Sequence, residues 1–300
     1  MTKIMWVTDF DCMAGTGGGA ELSDRAVIMD GIRRGYDIYI ITPDSPVREE
    51  VYTADIAVIS NAALFPLSFL SKLLDRLLVV NYIHDYFPQC AWRLFYPDLT
   101  KCKTTCRTHQ FAHDALTKAA LNVFLSPLHY RVWHRVIPEV EFTPHHLHPS
   151  PIDTDAFRPV PQVPKIANSV LGVNVLLKFK GMNNVLEYAK AHPELTFTFC
   201  GGKDSSAVLP PNANYVGGVA YSEMPGMYVQ AERMIHLPSG PEPFARAVAE
   251  AKLCGTGVIC NQLVGALSYP EYKRMNRDEY AAWISDSPRR FWAKVKQEVM

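Results

Sequence analysis

Pro238-Ser239-Gly240-Pro241-Glu242-Pro243-Phe244-Ala245-Arg246-Ala247-Val248-Ala249-Glu250-Ala251, followed by Cys254-Gly255-Thr256-Gly257-Val258-Ile259-Cys260, reads as a loop, a helix and a strand in succession. Proline at 238, 241 and 243 and glycine at 240 exclude regular structure there, the alanine-rich run after them suits an amphipathic helix, and Gly255 ends it before a short apolar strand. The first amides of such a helix have no intrahelical acceptor and form an anion site. Glu242 lies ahead of the first turn and Glu250 about two turns along it, each able to accept hydrogen bonds from hydroxyl groups.

The same alternation extends in both directions and predicts an α/β fold. Upstream, Ile4 to Val7, Ile38 to Ile41, Ile56 to Ile59, Leu77 to Val80 and Val123 to Leu125 read as short buried strands, with a helix over Glu21 to Arg34. The segment Thr143-Pro144-His145-His146-Leu147-His148-Pro149-Ser150-Pro151, with Arg158-Pro159-Val160-Pro161-Gln162-Val163-Pro164 after it, reads as an irregular solvated linker and domain boundary. Beyond it a second alternation begins: strands at Val173 to Leu177, Phe197 to Cys200, Met234 to Leu237 and Val258, with a helix at Val185 to Ala191. A last helix carries Phe291, Trp292, Val295 and Val299 at helical spacing.

A chain of 300 residues, 48% of them hydrophobic, can bury two cores of ordinary size. Thirty basic and thirty acidic residues cancel, so no global field draws the chain to nucleic acid or to anionic membrane. No apolar run reaches membrane-spanning or signal length, and the seven cysteines are an odd, scattered set. The expectation is a cytoplasmic enzyme with reduced thiols and no transmembrane segment.

Three further groups carry chemistry. Gly15-Thr16-Gly17-Gly18-Gly19-Ala20-Glu21, between the first strand and first helix, lets backbone amides approach a phosphate. Gly15, Gly17 and Ala20 also match the dinucleotide pattern, with Asp44 as a ribose acid, but Phe10 to Ala14 intervene where that fingerprint needs a tight turn. Lys178 and Lys180 follow the first strand of the second half, where strand ends carry ligand sites, and His84-Asp85 closes a first-half strand in the same way. Cys90, Cys102, Cys106 and His109 offer four zinc ligands in an unusual C-x11-C-x3-C-x2-H spacing.

Glu242 and Glu250 stand in a Glu-x7-Glu spacing that resembles the retaining GT-B glycosyltransferases of the family 4 type (glycosyl transferases group 1), the group related to bacterial sucrose and glycogen synthases and mannosyltransferases. Other stretches share the likeness: Gly18-Gly19-Ala20-Glu21, Gly31-Ile32-Arg33-Arg34-Gly35-Tyr36-Asp37-Ile38, Ile41-Thr42-Pro43, Lys180-Gly181 and Asp153 through Phe157 to Pro159. The resemblance implies two doubly wound Rossmann-like domains facing across a cleft. Residues 1–158 would form the acceptor side and 159–285 the nucleotide-sugar side, and 286–300 would be a helix crossing back.

It also implies transfer of a sugar from a nucleoside diphosphate donor, with retention and without a catalytic metal. Glu242 would approach the transferred sugar and Glu250 hold the ribose. Gly18, Gly19, Lys178, Lys180, Ser239, Pro243 and Phe244 would line the donor, with Glu242, His84 and Lys180 at the reacting centre. Some relatives carry a cysteine-bearing insertion after the His-Asp pair, which makes structural zinc at Cys90, Cys102, Cys106 and His109 an expectation. The chain departs from the family at Ala245, where glycine is usual, at the arginine that normally precedes Lys180, and at Ser150-Pro151 in place of Asn-Gly. Two other readings stay open: an NAD(P)-dependent oxidoreductase on the Gly15, Gly17, Ala20 pattern, and a non-catalytic sugar-nucleotide binding protein. The acceptor, whether envelope glycan, lipid-linked sugar, small molecule or modified DNA base, is not encoded in any motif.

Overall fold

The computed structural model describes residues 2–14, 17–46, 52–87 and 107–300, with backbone only for 107–109. The chain forms two compact units, Met1–Pro151 with Asp286–Met300, and Ile152–Ser285. Among the described residues, no helix is long and apolar enough to cross a membrane.

In the first unit, β1 (Lys3–Val7), β2 (Asp37–Ile41), β3 (Ile56–Ile59), β4 (Leu78–Ile83), β5 (Leu121–Phe124) and β6 (His145–Leu147) form one sheet in the order β2-β1-β3-β4-β5-β6. Every pairing in it is parallel. Its central strands read as continuous apolar runs because both faces are covered, by α1 (Gly19–Arg33), α2 (Leu67–Arg76), α3 (Arg107–Lys118) and α4 (Pro127–Val136). The strand order turns between β1 and β3, and that switch point brings three loops together: the β1–α1 connection, the turn after β3 and the end of β4.

In the second unit, β7 (Ile166–Val173), β8 (Thr196–Cys200), β9 (Ala213–Tyr215), β10 (Ala231–His236) and β11 (Gly257–Cys260) pair in the order β11-β10-β7-β8-β9, again all parallel. The helices here are α5 (Met182–Ala191), α6 (Met224–Gln230), α7 (Arg246–Leu253), α8 (Pro270–Arg274) and α9 (Arg277–Ser285). Its switch point lies between β7 and β10. The core there is built on Val170, Val185, Phe197, Phe199 and Ile235, each 1% exposed or less.

The last helix, α10 (Ser287–Glu298), packs in the first unit. Trp292 Nε1 donates to the Val27 carbonyl at 2.8 Å, and its ring lies 4.9 Å from Tyr36 and 6.4 Å from Trp6. Gly31 makes room for it, since a Cβ there would sit 2.6 Å from the indole. With Phe291 and Val295 also fully buried, these three side chains contribute about 1.5–3 kcal/mol each by burial alone.

Two sequence expectations need correction, and one strand has no sequence counterpart. The Pro/His segment is not a solvated linker: His145–Leu147 pairs with β5 as an edge strand, and His148 is fully buried between Tyr82 and Phe291, at 5.3 and 5.4 Å. An edge strand three residues long tolerates flanking prolines because it needs few ladder amides. Val173 to Leu177 is not the strand; β7 ends at Val173, where Asn174 turns at φ 55°, and Val175 and Leu176 are buried beyond the turn. Apolarity there marked burial rather than extension, while the real strand begins in the polar run Ile166-Ala167-Asn168-Ser169. The edge strand β9 carries no long apolar run and was not expected at all.

Candidate active site

At the first unit's switch point the chain leaves β1 through Asp9, whose carboxylate accepts the Ala63 and Leu64 amides at 3.1 and 2.8 Å and ties this loop to the one after β3. The chain reaches α1 through Gly17 and Gly18. Gly17 takes φ 144°, and a Cβ on it would lie 2.7 Å from that of Glu21, so glycine is required by conformation and by space. The Gly18 amide donates to Glu21 Oε2 at 2.7 Å, while Glu21 Oε1 accepts from Asn61 Nδ2 at 3.1 Å. That contact occupies the Gly18 N–H, and helix geometry leaves the amides of Gly19 and Ala20 without intrahelical acceptors.

One turn further along α1, the fully buried Asp24 accepts from Ser60 Oγ at 2.7 and 2.8 Å and contacts His84 Nε2 at 3.0 Å. His84 follows β4 directly, its side chain is 5% exposed, and its ring lies 4.2 Å from that of Tyr82. The structure therefore gathers Gly18, Gly19 and His84 around two carboxylates at the C-terminal end of one sheet. Glu21 and Asp24 were not singled out from sequence as site residues. Their signal was legible: two acids three apart on the inward face of a helix that follows a glycine loop.

In the second unit, Lys178–Lys180 form one 3-10 turn after β7, and Gly181 at φ 88° opens α5. A Cβ on Gly181 would overlap the Leu237 carbonyl at the end of β10, so the Lys-Gly pair reflects close backbone approach at the switch point. Lys180 Nζ lies 2.8 Å from Glu242 Oε1, and His236 Nε2, at the end of β10, lies 3.3 Å from Oε2. The Lys180 contact is an ion pair, and the His236 ring is the second group set against the carboxylate. Glu242 is 8% exposed. Burial opposes its charge, but Lys180 and then His236 outweigh that penalty and hold its carboxyl down at about 2. Lys178 stands apart, 3.8 Å from Asp204 with its side chain 67% exposed.

The loop carrying Glu242 is held by backbone pairing. Glu242 N–H donates to Leu263 O at 2.7 Å, Gly265 N–H to Glu242 O at 3.0 Å, and Ala266 N–H to Phe244 O at 2.7 Å. Phe244 is buried, Pro243 half-buried and Ser239 exposed, the last 3.5 Å from Asn184 Nδ2. Ala245 caps α7 in the left-handed region, φ 67° and ψ 74°. The backbone keeps a conformation suited to glycine and imposes it on an alanine.

Glu250, 4% exposed on α7, accepts from the Tyr221 hydroxyl at 2.9 Å and the Tyr228 hydroxyl at 3.1 Å, and Arg246 Nε lies 3.6 Å away. Burial and then the neighbouring carboxylate push the Tyr228 phenol well up, so it stays a donor. Glu242 and Glu250 thus sit in separate polar networks of one unit. His236, Tyr221, Tyr228 and Arg246 were missed in the sequence; only His236 left a trace, as the sole titratable residue of the apolar run Met234 to Leu237.

Gly15, Cys90, Cys102 and Cys106, and the side chain of His109, lie outside the described residues. Among the described residues, no group of three or more histidine, cysteine, aspartate and glutamate side chains is placed to hold a metal ion. The connection from Val7 to Gly19 passes through a 3-10 turn at Cys12–Ala14 rather than the tight turn of a dinucleotide fingerprint.

The sequence model of the family described as Glycosyl transferases group 1 matches residues 153–282, nearly the whole second unit. No curated protein matches the chain. Among solved structures, Alr3699/HepE of Anabaena, crystallised with UDP and glucose, superposes with TM-score 0.63 at 15% identity, over 100% of this chain and 92% of that one. AviGT4, a glycosyltransferase involved in avilamycin A biosynthesis, gives 0.55 at 15% over 99% and 93%. An alpha-glucosyltransferase in complex with UDP and a 13-mer DNA containing an HMU base gives 0.57 at 13% over 99% and 95%. The two doubly wound parallel sheets are those of the GT-B fold, and the match to the glycosyl transferases group 1 model lies in the second of them.

Proposed function

We propose that the chain transfers a sugar from a nucleoside diphosphate sugar to a hydroxyl acceptor with retention of anomeric configuration. The observation that carries this reading is Glu242, a buried carboxylate kept ionised by Lys180 and His236 ahead of a helix N-terminus, inside the matched domain. An ionised carboxylate accepts hydrogen bonds from sugar hydroxyls and favours positive charge developing at an anomeric carbon. Lys180 and the amides opening α7 favour the charge that builds on a departing diphosphate. Glu250 supplies acceptors for a ribose. In the first unit, His84 and the amides of Gly19 and Ala20 serve the reacting groups.

In the retaining step the bond from the anomeric carbon to the diphosphate oxygen breaks and the acceptor oxygen bonds on the same face. The acceptor proton passes to the departing phosphate oxygen, so no protein nucleophile is required. Alr3699/HepE has been crystallised with UDP-glucose, which makes UDP-glucose the first donor to test. Acceptors to screen are an envelope glycan, a lipid-linked sugar, a small molecule and a modified DNA base; the last is motivated by the alpha-glucosyltransferase solved in complex with UDP and DNA containing an HMU base. The odd set of thiols, free at Cys12, Cys200, Cys254 and Cys260, supports a reducing, cytoplasmic setting.

Thermal unfolding with a panel of nucleotide sugars and with NAD(P) tests the donor; a true donor at 100 times its Kd stabilises the fold by about 2.7 kcal/mol. Mass spectrometry of products then tests transfer. Stabilisation by NAD(P) alone would point to an oxidoreductase, and stabilisation by a nucleotide sugar without turnover to a binding protein.

A further inference from the structure

We infer that Asp24 is a positioning residue that fixes His84 in one tautomer for the transfer reaction. The inference rests on the proposed role of His84 and adds the residue through which that role is set. Asp24 is fully buried on α1, and Ser60 Oγ donates to its carboxylate at 2.7 and 2.8 Å, which prevents the group from rotating away. A carboxylate offers only acceptors, so the proton on the 3.0 Å contact belongs to His84 Nε2. That leaves Nδ1 of a neutral imidazole as a hydrogen-bond acceptor, suited to a sugar hydroxyl.

The parts come from three places in the sequence: helix α1, the turn after β3 and the end of β4. They meet because the sheet switches direction between β1 and β3. The ring is further located by Tyr82, 4.2 Å away, while Glu21 on the same face of α1 is engaged by Gly18 and Asn61. Asp24 is fully buried with Ser60 and His84 as its contacts, so it acts through the imidazole.

Asparagine at 24 would still accept from Ser60 with its carbonyl but would present an amide donor to Nε2. The imidazole proton would then move to Nδ1, turning the acceptor into a donor. Glutamine at 84 keeps a donor for Asp24 and replaces the ring-fixed Nδ1 acceptor with a flexible amide oxygen that the imidazole geometry no longer places. Asp24→Asn, His84→Gln and the double variant form a cycle, read as kcat for transfer from the donor found in the nucleotide-sugar screen. His84→Gln should lower kcat by about 100-fold, Asp24→Asn by roughly 10- to 100-fold, and the double variant no further than His84→Gln alone. Nitrogen-15 spectra of the His84 ring should show the proton on Nε2 in the wild type and on Nδ1 in Asp24→Asn, a change that a purely structural role would not produce.

Losses that multiply in the double variant, or a ring proton that stays on Nε2 in Asp24→Asn, would overturn the inference. Full activity in His84→Gln would instead remove the role of His84 and the inference with it, leaving the donor assignment to be judged on the nucleotide-sugar screen. Thermal unfolding of each variant separates a failure to fold from a loss of rate.

Discussion

Glu242→Gln isolates the one buried charge on which the donor assignment depends. The neighbourhood of Glu242 holds its carboxyl at about 2 against an ordinary 4.5, which converts to about 3 kcal/mol in favour of the ionised form. The folded-state value lies below the unfolded one, so the unfolded chain binds the proton first. This contribution is complete above about pH 4.5 and is lost as the pH falls through about 2. Glutamine keeps the shape, leaves Lys180 and His236 facing a neutral amide, and forfeits the whole of that term at pH 7.

Urea unfolding of wild type and variant at pH values from 7 down to 2.5 should therefore show a gap of about 3 kcal/mol that narrows steadily below pH 4.5. Against a domain stability of about 5–15 kcal/mol the variant stays folded at neutral pH. Sugar transfer should fall by about 100-fold or more, the scale on which a preorganised charge acts in a transition state. A gap that does not change with pH, or transfer that survives intact, would refute the assignment of the ionised carboxylate to the reacting centre.

Ala245→Gly removes a Cβ from a left-handed position, φ 67°, and should raise unfolding stability by about 0.5–1 kcal/mol after the entropy of glycine is set against the relieved strain; a lower melting temperature in a thermal scan would contradict the reading of strain. The histidines under α10 predict sensitivity to acid: burial first, and then Arg290 and Lys294, lower His146 to about 4, and burial with His146 and Arg290 lowers His148 well below its usual 6.5. The unfolded chain takes up these protons first, so stability is complete above about pH 6.5 and declines toward pH 4. The double variant His146→Leu, His148→Leu should flatten that decline in melting temperature, and an unchanged slope would remove the histidines as its cause.

Much of the architecture was legible because parallel sheets covered on both faces write their strands as short apolar runs, as at Ile56–Ile59 and Leu121–Phe124. The misreadings share one cause: apolarity reports burial and not strand geometry. Val175 and Leu176 are buried in a turn, while β6 and β9 are edge strands whose neighbours demand little of their composition. In the candidate site, the Glu-x7-Glu spacing and Lys180-Gly181 were visible as local patterns with a backbone reason. The partners of those residues were not, because they lie outside the motifs, on other elements or on a helix face that spacing alone does not orient. His236 reaches Glu242 from the end of β10, Tyr221 meets Glu250 across 29 positions, and Asp24 meets His84 across 60. A local pattern names one half of each contact; the strand order supplies the other.

The last helix has a consequence for how the protein is made. The first unit is interrupted in sequence by the whole of the second, and Phe291 and Trp292 complete its aromatic core only after Asp286 rejoins it. During synthesis the strands that emerge from the ribosome first are therefore completed only after the second unit has been made, with Trp6 and His148 uncovered until Phe291 and Trp292 arrive. Cutting the chain at the junction near residue 151 would not yield two independent folding pieces, and a stop codon ahead of Phe291 would open the core that the first 151 residues build.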